Sequence, residues 1–538
     1  MADIKTGEPF GLDAEWLSKI NWDLALKRIG QDLRSDFIYA PHLGFIYAKA
    51  GAELKAQVEK DLKNGHFSLG IPITMEVPKT FRIRVAAVHT SRLGPNYSRP
   101  GSILLPRDRL LYQVLGDQAA LIIDKRTDET RSFSHKLATT DSANMFIPTR
   151  TCWNRLQEAN ANYAKQPTAK YILKIDVANF FGSLNQHTLI NVLNDAGYPK
   201  PLSSRLEAIL TSFTGERSSR GILQGMYPSD LLGNFYLAPV DRFLSDYPVP
   251  SARYVDDLYI FLESVDAADQ LLRQLIPVLR SYDLVLNEAK SVIMPVSALM
   301  TEEPDLEQLF EAAVEEVAKQ IDDEEFDADY GFQSEWDDEE PDTEILELRA
   351  TMVLFDSLSD YPGHEENIER FCLPLFAKSG SDYAVANVLE SFKKRPSMSQ
   401  IYAAYLVRFL DEKEVQDFMI GALKDSPLMD WQKMWILAAL SQAKSATDVA
   451  VKVAFDLLKD ANRHEALRAT AAVYVGRFGD HARRKALIML YPTVSGYIQS
   501  AIYFSSRGWP SVERGNAKAS WGSHSALNIL ITVAMAKR

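Results

Sequence analysis

The run Ala252-Arg253-Tyr254-Val255-Asp256-Asp257-Leu258-Tyr259-Ile260-Phe261-Leu262 sets two adjacent carboxylates between stretches rich in β-branched and aromatic residues. Such stretches read as strands, and the Asp pair between them reads as a tight turn. The segment is therefore expected to fold as a hairpin with two carboxylates at its tip. Neighbouring carboxylates repel, and ligation of a divalent cation relieves that repulsion. Taken alone, the run is equally compatible with a surface hairpin whose Asp-Asp only makes the turn.

A second apolar strand, Tyr171-Ile172-Leu173-Lys174-Ile175, ends in Asp176 and runs on through Val177-Ala178-Asn179-Phe180-Phe181. Alone, Asp176 reads as a strand-end or helix-capping residue. Paired with Asp256 and Asp257 it completes the minimum frame of a two-metal site, in which carboxylates bridge two ions roughly 3.5–4 Å apart. Between the two strands lies Gly221-Ile222-Leu223-Gln224-Gly225-Met226-Tyr227-Pro228-Ser229-Asp230-Leu231-Leu232-Gly233-Asn234-Phe235-Tyr236-Leu237. This is a Gly/Pro-punctuated loop feeding a helix. Ser229 or Asp230 is the expected N-cap, with Leu231, Leu232, Phe235 and Tyr236 at helical spacing. Gly225 lets the backbone approach a ligand closely.

In order, spacing and residue type these segments resemble the palm of reverse transcriptases. The matching motifs are Asp176 with Phe180-Phe181, the Gln224-Gly225 loop with its Leu-Leu-x-Asn-x-Tyr-Leu helix, Tyr254-Val255-Asp256-Asp257, and Leu286-Asn287-Glu288-Ala289-Lys290. The resemblance covers roughly residues 75–295. It implies a nucleotidyltransferase making DNA from dNTPs with two Mg²⁺ ions, for which Mn²⁺ can substitute. It assigns Asp176, Asp256 and Asp257 as catalytic, with Val177 beside them in the metal set. It makes Phe181 a ring that excludes a ribose 2′-hydroxyl, and Gln224 and Gly225 the lining of the nascent base pair. Lys290 is assigned to the departing pyrophosphate. Upstream, Arg99-Pro100-Gly101-Ser102-Ile103-Leu104 and Pro106 to Gln113 resemble the fingers. There Arg99 is the candidate grip on the triphosphate, a task suited to a guanidinium fork, with Lys79 a second candidate. Arg107 and Arg109 are open to pairing with local carboxylates instead.

The pattern also departs from the family. Leu223 stands where templated reverse transcriptases usually carry Pro, Asp230 replaces the Pro that usually follows the Ser, and Ala86 to Ser98 form a long polar insertion. In the resembled family these positions hold primer, template and base pair, not the chemistry. No run suggests an RNase H domain, and no primer-grip motif follows Lys290.

The net charge of −13 looks wrong for a nucleic-acid enzyme, but residues 301–350 hold 21 Asp/Glu against Lys319 and Arg349. That stretch, with Asp322-Asp323-Glu324-Glu325 and Asp337-Asp338-Glu339-Glu340, reads as a solvated linker. It carries −19, which leaves the remainder at +6, mildly basic and compatible with nucleic acid. The two cysteines, Cys152 and Cys372, exclude a disulfide framework. With no apolar run long enough to span a bilayer and no signal-like start, the expectation is a cytoplasmic protein without membrane contact.

Beyond residue 345 the apolar spacing becomes helical. Helices beginning near Trp431, Glu465 and Tyr497 recur at about thirty-residue intervals with small Ala residues along the apolar stripe. That spacing suggests stacked helix pairs of the α-solenoid kind, or an irregular helical bundle. The expected fold is thus an α+β right-hand polymerase, with fingers and palm of reverse transcriptase type, followed by an all-α, HEAT-like helical-repeat domain. Its expected limits are 1–165 for the N-terminal segment and fingers, 166–300 for the palm, 301–345 for the acidic linker and 346–538 for the helical domain.

This architecture, with Ser-Asp in the second motif, resembles bacterial abortive-infection and defence-associated reverse transcriptases. The resemblance implies homo-oligomers acting against phage, with untemplated DNA synthesis primed from a tyrosine, so that single-stranded product stays covalently attached. Among 22 tyrosines, Tyr39 and Tyr47 are the priming candidates. The alternatives are templated synthesis on a dedicated partner RNA, or an inactive oligomeric scaffold, against which the intact aspartates argue.

Overall fold

The computed structural model describes residues 8–79, 98–214, 219–247, 249–302, 342–361, 363–424, 427–522 and 525–537, with isolated positions between 303 and 341. The two acidic runs and residues 86–97 of the insertion lie outside the described residues. The chain forms two compact units. The first comprises Met1–Glu76, Pro100–Leu299 and Tyr491–Arg538, and the second Val77–Arg99 and Met300–Leu490.

Two short strands, β1 (Ile73–Pro78) and β2 (Ser98–Ile103), make a two-stranded sheet. The centre of the first unit is a four-stranded sheet of β3 (Tyr171–Ile175), β4 (Ser251–Tyr254), β5 (Asp257–Leu262) and β6 (Val292–Pro295), in the order β4-β5-β3-β6. Every neighbouring pair is antiparallel. β5 is buried along almost its whole length, which is why its sequence reads as a continuous apolar run. Ile172, Ala252, Tyr259, Phe261 and Met294 pack in one cluster with Leu156. Leu156 comes from a helix over Thr149–Ala164, which also sets Tyr163 edge-on to Phe261 and Trp153 edge-on to Tyr254. Strand alternation puts Leu173, Ile175, Leu258 and Ile260 on the opposite face.

The helices that bear on the site are α1 (Trp22–Asp32), α2 (Pro41–Lys63), α3 (Pro106–Ile123), α4 (Thr149–Ala164), α5 (Tyr227–Tyr236), α6 (Ala238–Asp246) and α7 (Val265–Ser281). α7 shows how directly sequence sets structure here. Ser264 caps it by accepting from the Ala267 N–H, and Ala268, Leu271, Leu275 and Leu279 form its buried stripe.

In the second unit, α8 (Glu365–Ser379), α9 (Ser399–Leu406), α10 (Lys413–Lys424), α11 (Asp430–Leu440), α12 (Asp448–Lys459) and α13 (Glu465–Phe478) stack in two rows. One row runs α8-α9-α11-α13, and α10 packs on α12 in the other. α13 is buried nearly all round, which its run of Ala and Gly permits by letting neighbours approach closely.

The helical domain expected over 346–538 does not form one unit, because residues 491–538 group with the first. There α14 (Gly496–Ser505) and α15 (Ala526–Ala536) pack on α2. His42 meets Tyr497, Phe45 meets Phe504, and Lys537 pairs with Glu53 at 2.9 Å. Among the described residues, no helix is long and apolar enough to cross a membrane.

Candidate active site

The register of the central sheet brings the separated aspartates together. Ile175 lies opposite Leu258, so the next rung sets Asp176 against Asp257, on the same face as Lys174 and Tyr259. Tyr254 lies opposite Asp257, which leaves Val255-Asp256 as a two-residue hairpin loop. Val255 has φ +53°, a left-handed conformation that a β-branched residue adopts only under constraint.

That constraint is identifiable. The Val255 N–H donates to Ser134 Oγ at 2.8 Å, and its carbonyl accepts from Arg253 Nη1 at 2.8 Å. Arg253 is buried, and all five of its side-chain N–H groups are placed. Nε and Nη2 fork onto Asp241 at 2.9 and 2.6 Å, Nη1 also reaches Asn234 Oδ1 at 2.7 Å, and Nη2 reaches the Asn234 carbonyl at 3.3 Å. Ser132 and Ser134 donate to the same Asn234 Oδ1. Asn234 is the Asn of the Leu-Leu-x-Asn motif, so part of that motif serves the hairpin turn.

Asp176 has partners of its own. Its Oδ2 accepts from Asn287 Nδ2 at 2.8 Å and its Oδ1 from Lys290 Nζ at 3.1 Å, while its carbonyl accepts from the Asn287 N–H. The fourth motif is thereby explained as the cradle of Asp176. Burial, then the negative charges of Asp256 and Asp176, push the Asp257 carboxyl up to about 7, against the pull of Lys174 and Lys290. Among the described residues, no three His, Cys, Asp or Glu side chains converge as a ready metal cage. Asp176, with both oxygens engaged, is turned to Asn287 and Lys290 instead. The donor chemistry nevertheless fits a hard divalent ion, because the partly buried Asp257 carboxylate lies within the repulsive reach of both Asp256 and Asp176, and such an ion would relieve that repulsion. Asp176, Asp256, Asp257 and the carbonyl of Val177 are the groups that would hold it. Val177 itself is buried and bridged to Leu286.

Phe181 is half-buried, edge-on to Phe180, and rests over Gly233, where an added Cβ would lie 2.8 Å from its ring. Gly233 thus fixes the height of that ring. Gln224 is half-buried in the loop before α5. Gly225 has φ +86°, and a Cβ there would lie 2.7 Å from the Phe37 ring. Gly225→Ala is therefore expected to destabilise the protein by about 1–3 kcal/mol in urea unfolding, through both strain and contact.

α5 begins one turn earlier than expected. Met226 is its N-cap and Pro228 lies in the first turn, a position that tolerates the missing N–H, so neither Ser229 nor Asp230 is the cap. Ser229 is instead buried against the Tyr112 hydroxyl at 2.9 Å, and Asp32 Oδ2 accepts from the Tyr227 N–H.

Of the fingers candidates, Arg107 pairs with Asp61 at 2.6 Å, and buried Arg109 pairs with Asp32 and Asp36. Lys79 and Arg99 fall in the Val77–Arg99 segment of the second unit, exposed and half-buried respectively. Tyr39 is half-buried. Tyr47 is a correction. It lies on the inner face of α2 with Leu43, Ile46 and Ala50, and its enclosed hydroxyl cannot meet a nucleotide without that helix opening. Burial also raises its pKa, so its hydroxyl resists ionisation in that setting.

Neighbouring antiparallel strands thus deliver Asp176 and Asp257 opposite each other at their ends. Residues 120–317 match the family described as reverse transcriptase (RNA-dependent DNA polymerase), so a reverse transcriptase domain is present in the chain. No curated protein matches it. Among solved structures, it is similar to telomerase from Candida albicans in complex with a TWJ fragment of telomeric RNA, at 13% identity and a TM-score of 0.31, over 72% of this chain and 66% of that one. Telomerase from Candida tropicalis with the TWJ fragment gives 11% and 0.33, over 69% and 64%. The apo form gives 10% and 0.29, over 69% and 67%. The chain thus spans about two thirds of those proteins' length.

Proposed function

We propose that the chain is a DNA polymerase that adds dNTPs to a hydroxyl by nucleotidyl transfer. The placement of Asp176 opposite Asp257 on neighbouring strands, with Asp256 on the turn, carries this reading. Bound divalent ions would supply charge neutralisation at the attacking hydroxyl and at the leaving pyrophosphate. The chain's own contribution is to hold the carboxylates in register and to position the sugar. The half-buried Phe181 ring, propped by Gly233, would meet a 2′-hydroxyl. Phe181→Val is expected to raise rNTP incorporation relative to dNTP by about tenfold or more, measured in single-nucleotide extension.

In its finer form the proposal is an untemplated, tyrosine-primed enzyme of bacterial anti-phage defence, working in the cytoplasm as a homo-oligomer with a HEAT-like helical unit. Leu223 and Asp230, both at positions that contact template and primer in the resembled family, support that form. Purified protein given Mg²⁺ and dNTPs should yield a protein–DNA adduct that mass spectrometry maps to a tyrosine. Product complementary to a co-purified RNA would refute untemplated synthesis.

A further inference from the structure

The two partners of Asp176 are unlike each other. Asn287 is fixed at both ends: its backbone N–H donates to the Asp176 carbonyl at 2.8 Å, while its carbonyl accepts from the N–H groups of Lys290 and Ser291. The Ser291 hydroxyl in turn accepts from the Asp176 N–H at 3.3 Å. The hold of Asn287 on Oδ2 is therefore part of the frame. Lys290 reaches Oδ1 through a flexible four-carbon stem, and its side chain is 51% exposed, against 14% for Asp176. A strongly hydrated ammonium on such a stem exchanges readily with solvent.

We propose that Lys290 is a resident counter-cation of Asp176 that occupies Oδ1 in the metal-free protein and yields it to a divalent ion. The inference rests on the reading of this site as a metal-dependent nucleotidyl-transfer centre. It follows from competition for one oxygen. Asp176 Oδ1 cannot hold both the ammonium and a divalent ion in the same direction, and the two cations repel. Lys290 therefore sets how much divalent ion the site needs before Asp176 is released. Until then it offsets part of the repulsion among Asp176, Asp256 and Asp257. Asn287 keeps Oδ2 oriented throughout, so the exchange moves one side chain and leaves the backbone of β3 in place.

The test is Mn²⁺ binding to the full chain without nucleotide, followed by electron paramagnetic resonance, for the native protein and for Lys290→Met, Lys290→Gln and Asp257→Asn. Removing the competing charge is expected to tighten binding about three- to tenfold in both Lys290 variants, and Asp257→Asn to weaken it. Lys290 variants that bind Mn²⁺ no more tightly than the native protein, while Asp257→Asn still weakens binding, would overturn the inference alone. Native binding insensitive to Asp257→Asn would overturn the metal-site reading and the inference with it. Because the Lys290 side chain is half exposed, both variants should keep the native far-ultraviolet circular dichroism. If one loses it, the other carries the comparison.

Discussion

Asp257→Asn is expected to lower dNTP incorporation by about a thousandfold or more, equivalent to about 4 kcal/mol of transition-state stabilisation, without loss of folded protein. The two halves of that expectation have one cause. Asp257 is driven up to about 7 by burial and by the charges of Asp256 and Asp176, so its ionised form costs the folded protein free energy when no cation is bound. An isosteric amide removes that cost together with the ligand. In metal-free buffer the variant should melt at or above the native temperature, while activity assays find it inactive. A melting temperature well below native would mean that the carboxylate is structural. Asp176→Asn should lose as much activity but melt lower, because it gives up the ion pair with Lys290. The contrast separates a carboxylate kept for chemistry from one that also supports its surroundings.

The aspartates were legible in the sequence because everything that announces them is local. Strand periodicity, a turn signal and a terminal Asp lie within a dozen residues of each other. Their register was not legible, but once two strands pair antiparallel with buried faces, few alternatives remain. The cradle of Asp176 was half legible. Leu-Asn-x-x-Lys was visible as a motif, but that Asn287 and Lys290 divide the two oxygens of one carboxylate depends on how β3 meets the turn at 287–291. The start of α5 was misread because a buried tertiary partner, the Tyr112 hydroxyl, claims Ser229. The inward direction of Tyr47 is legible in the sequence, since Leu43, Ile46, Tyr47, Ala50, Leu54 and Val58 share one helical face. The boundary near residue 490 had no signal, because the spacing of about thirty residues continues past it into Gly496–Ser505.

Least legible was the support of the hairpin turn, and there the second large effect is expected. Arg253 sits in a strand between Ala252 and Tyr254, and nothing in its spacing points to Asp241, Asn234 or Ser134. The meeting arises because residues 131–134 run alongside β4, with Arg253 N–H donating to the Arg131 carbonyl and Phe133 N–H to the Arg253 carbonyl. Arg253→Ala would strand the buried Asp241 carboxylate and is expected to cost about 3–5 kcal/mol in urea unfolding. Arg253→Lys is the more telling variant. It keeps the charge but offers three donors where five are used, and no planar fork for Asp241. About 2 kcal/mol of stability should go, leaving the protein folded at moderate temperature. Ser134 and Arg253 both bond the Val255 backbone at its φ of +53°. Loss of the Arg253 contact should let the turn relax and carry Asp256 and Asp257 out of register with Asp176. Incorporation at a temperature where Arg253→Lys is fully folded should therefore fall by tenfold or more, since misplacement by about 1 Å costs on that order. Ser134→Ala, which removes the acceptor for the Val255 N–H and one donor to Asn234 Oδ1 but leaves Arg253 in place, should act in the same direction by a smaller step. Native activity in a folded Arg253→Lys protein would mean that the turn holds its strained shape without this support.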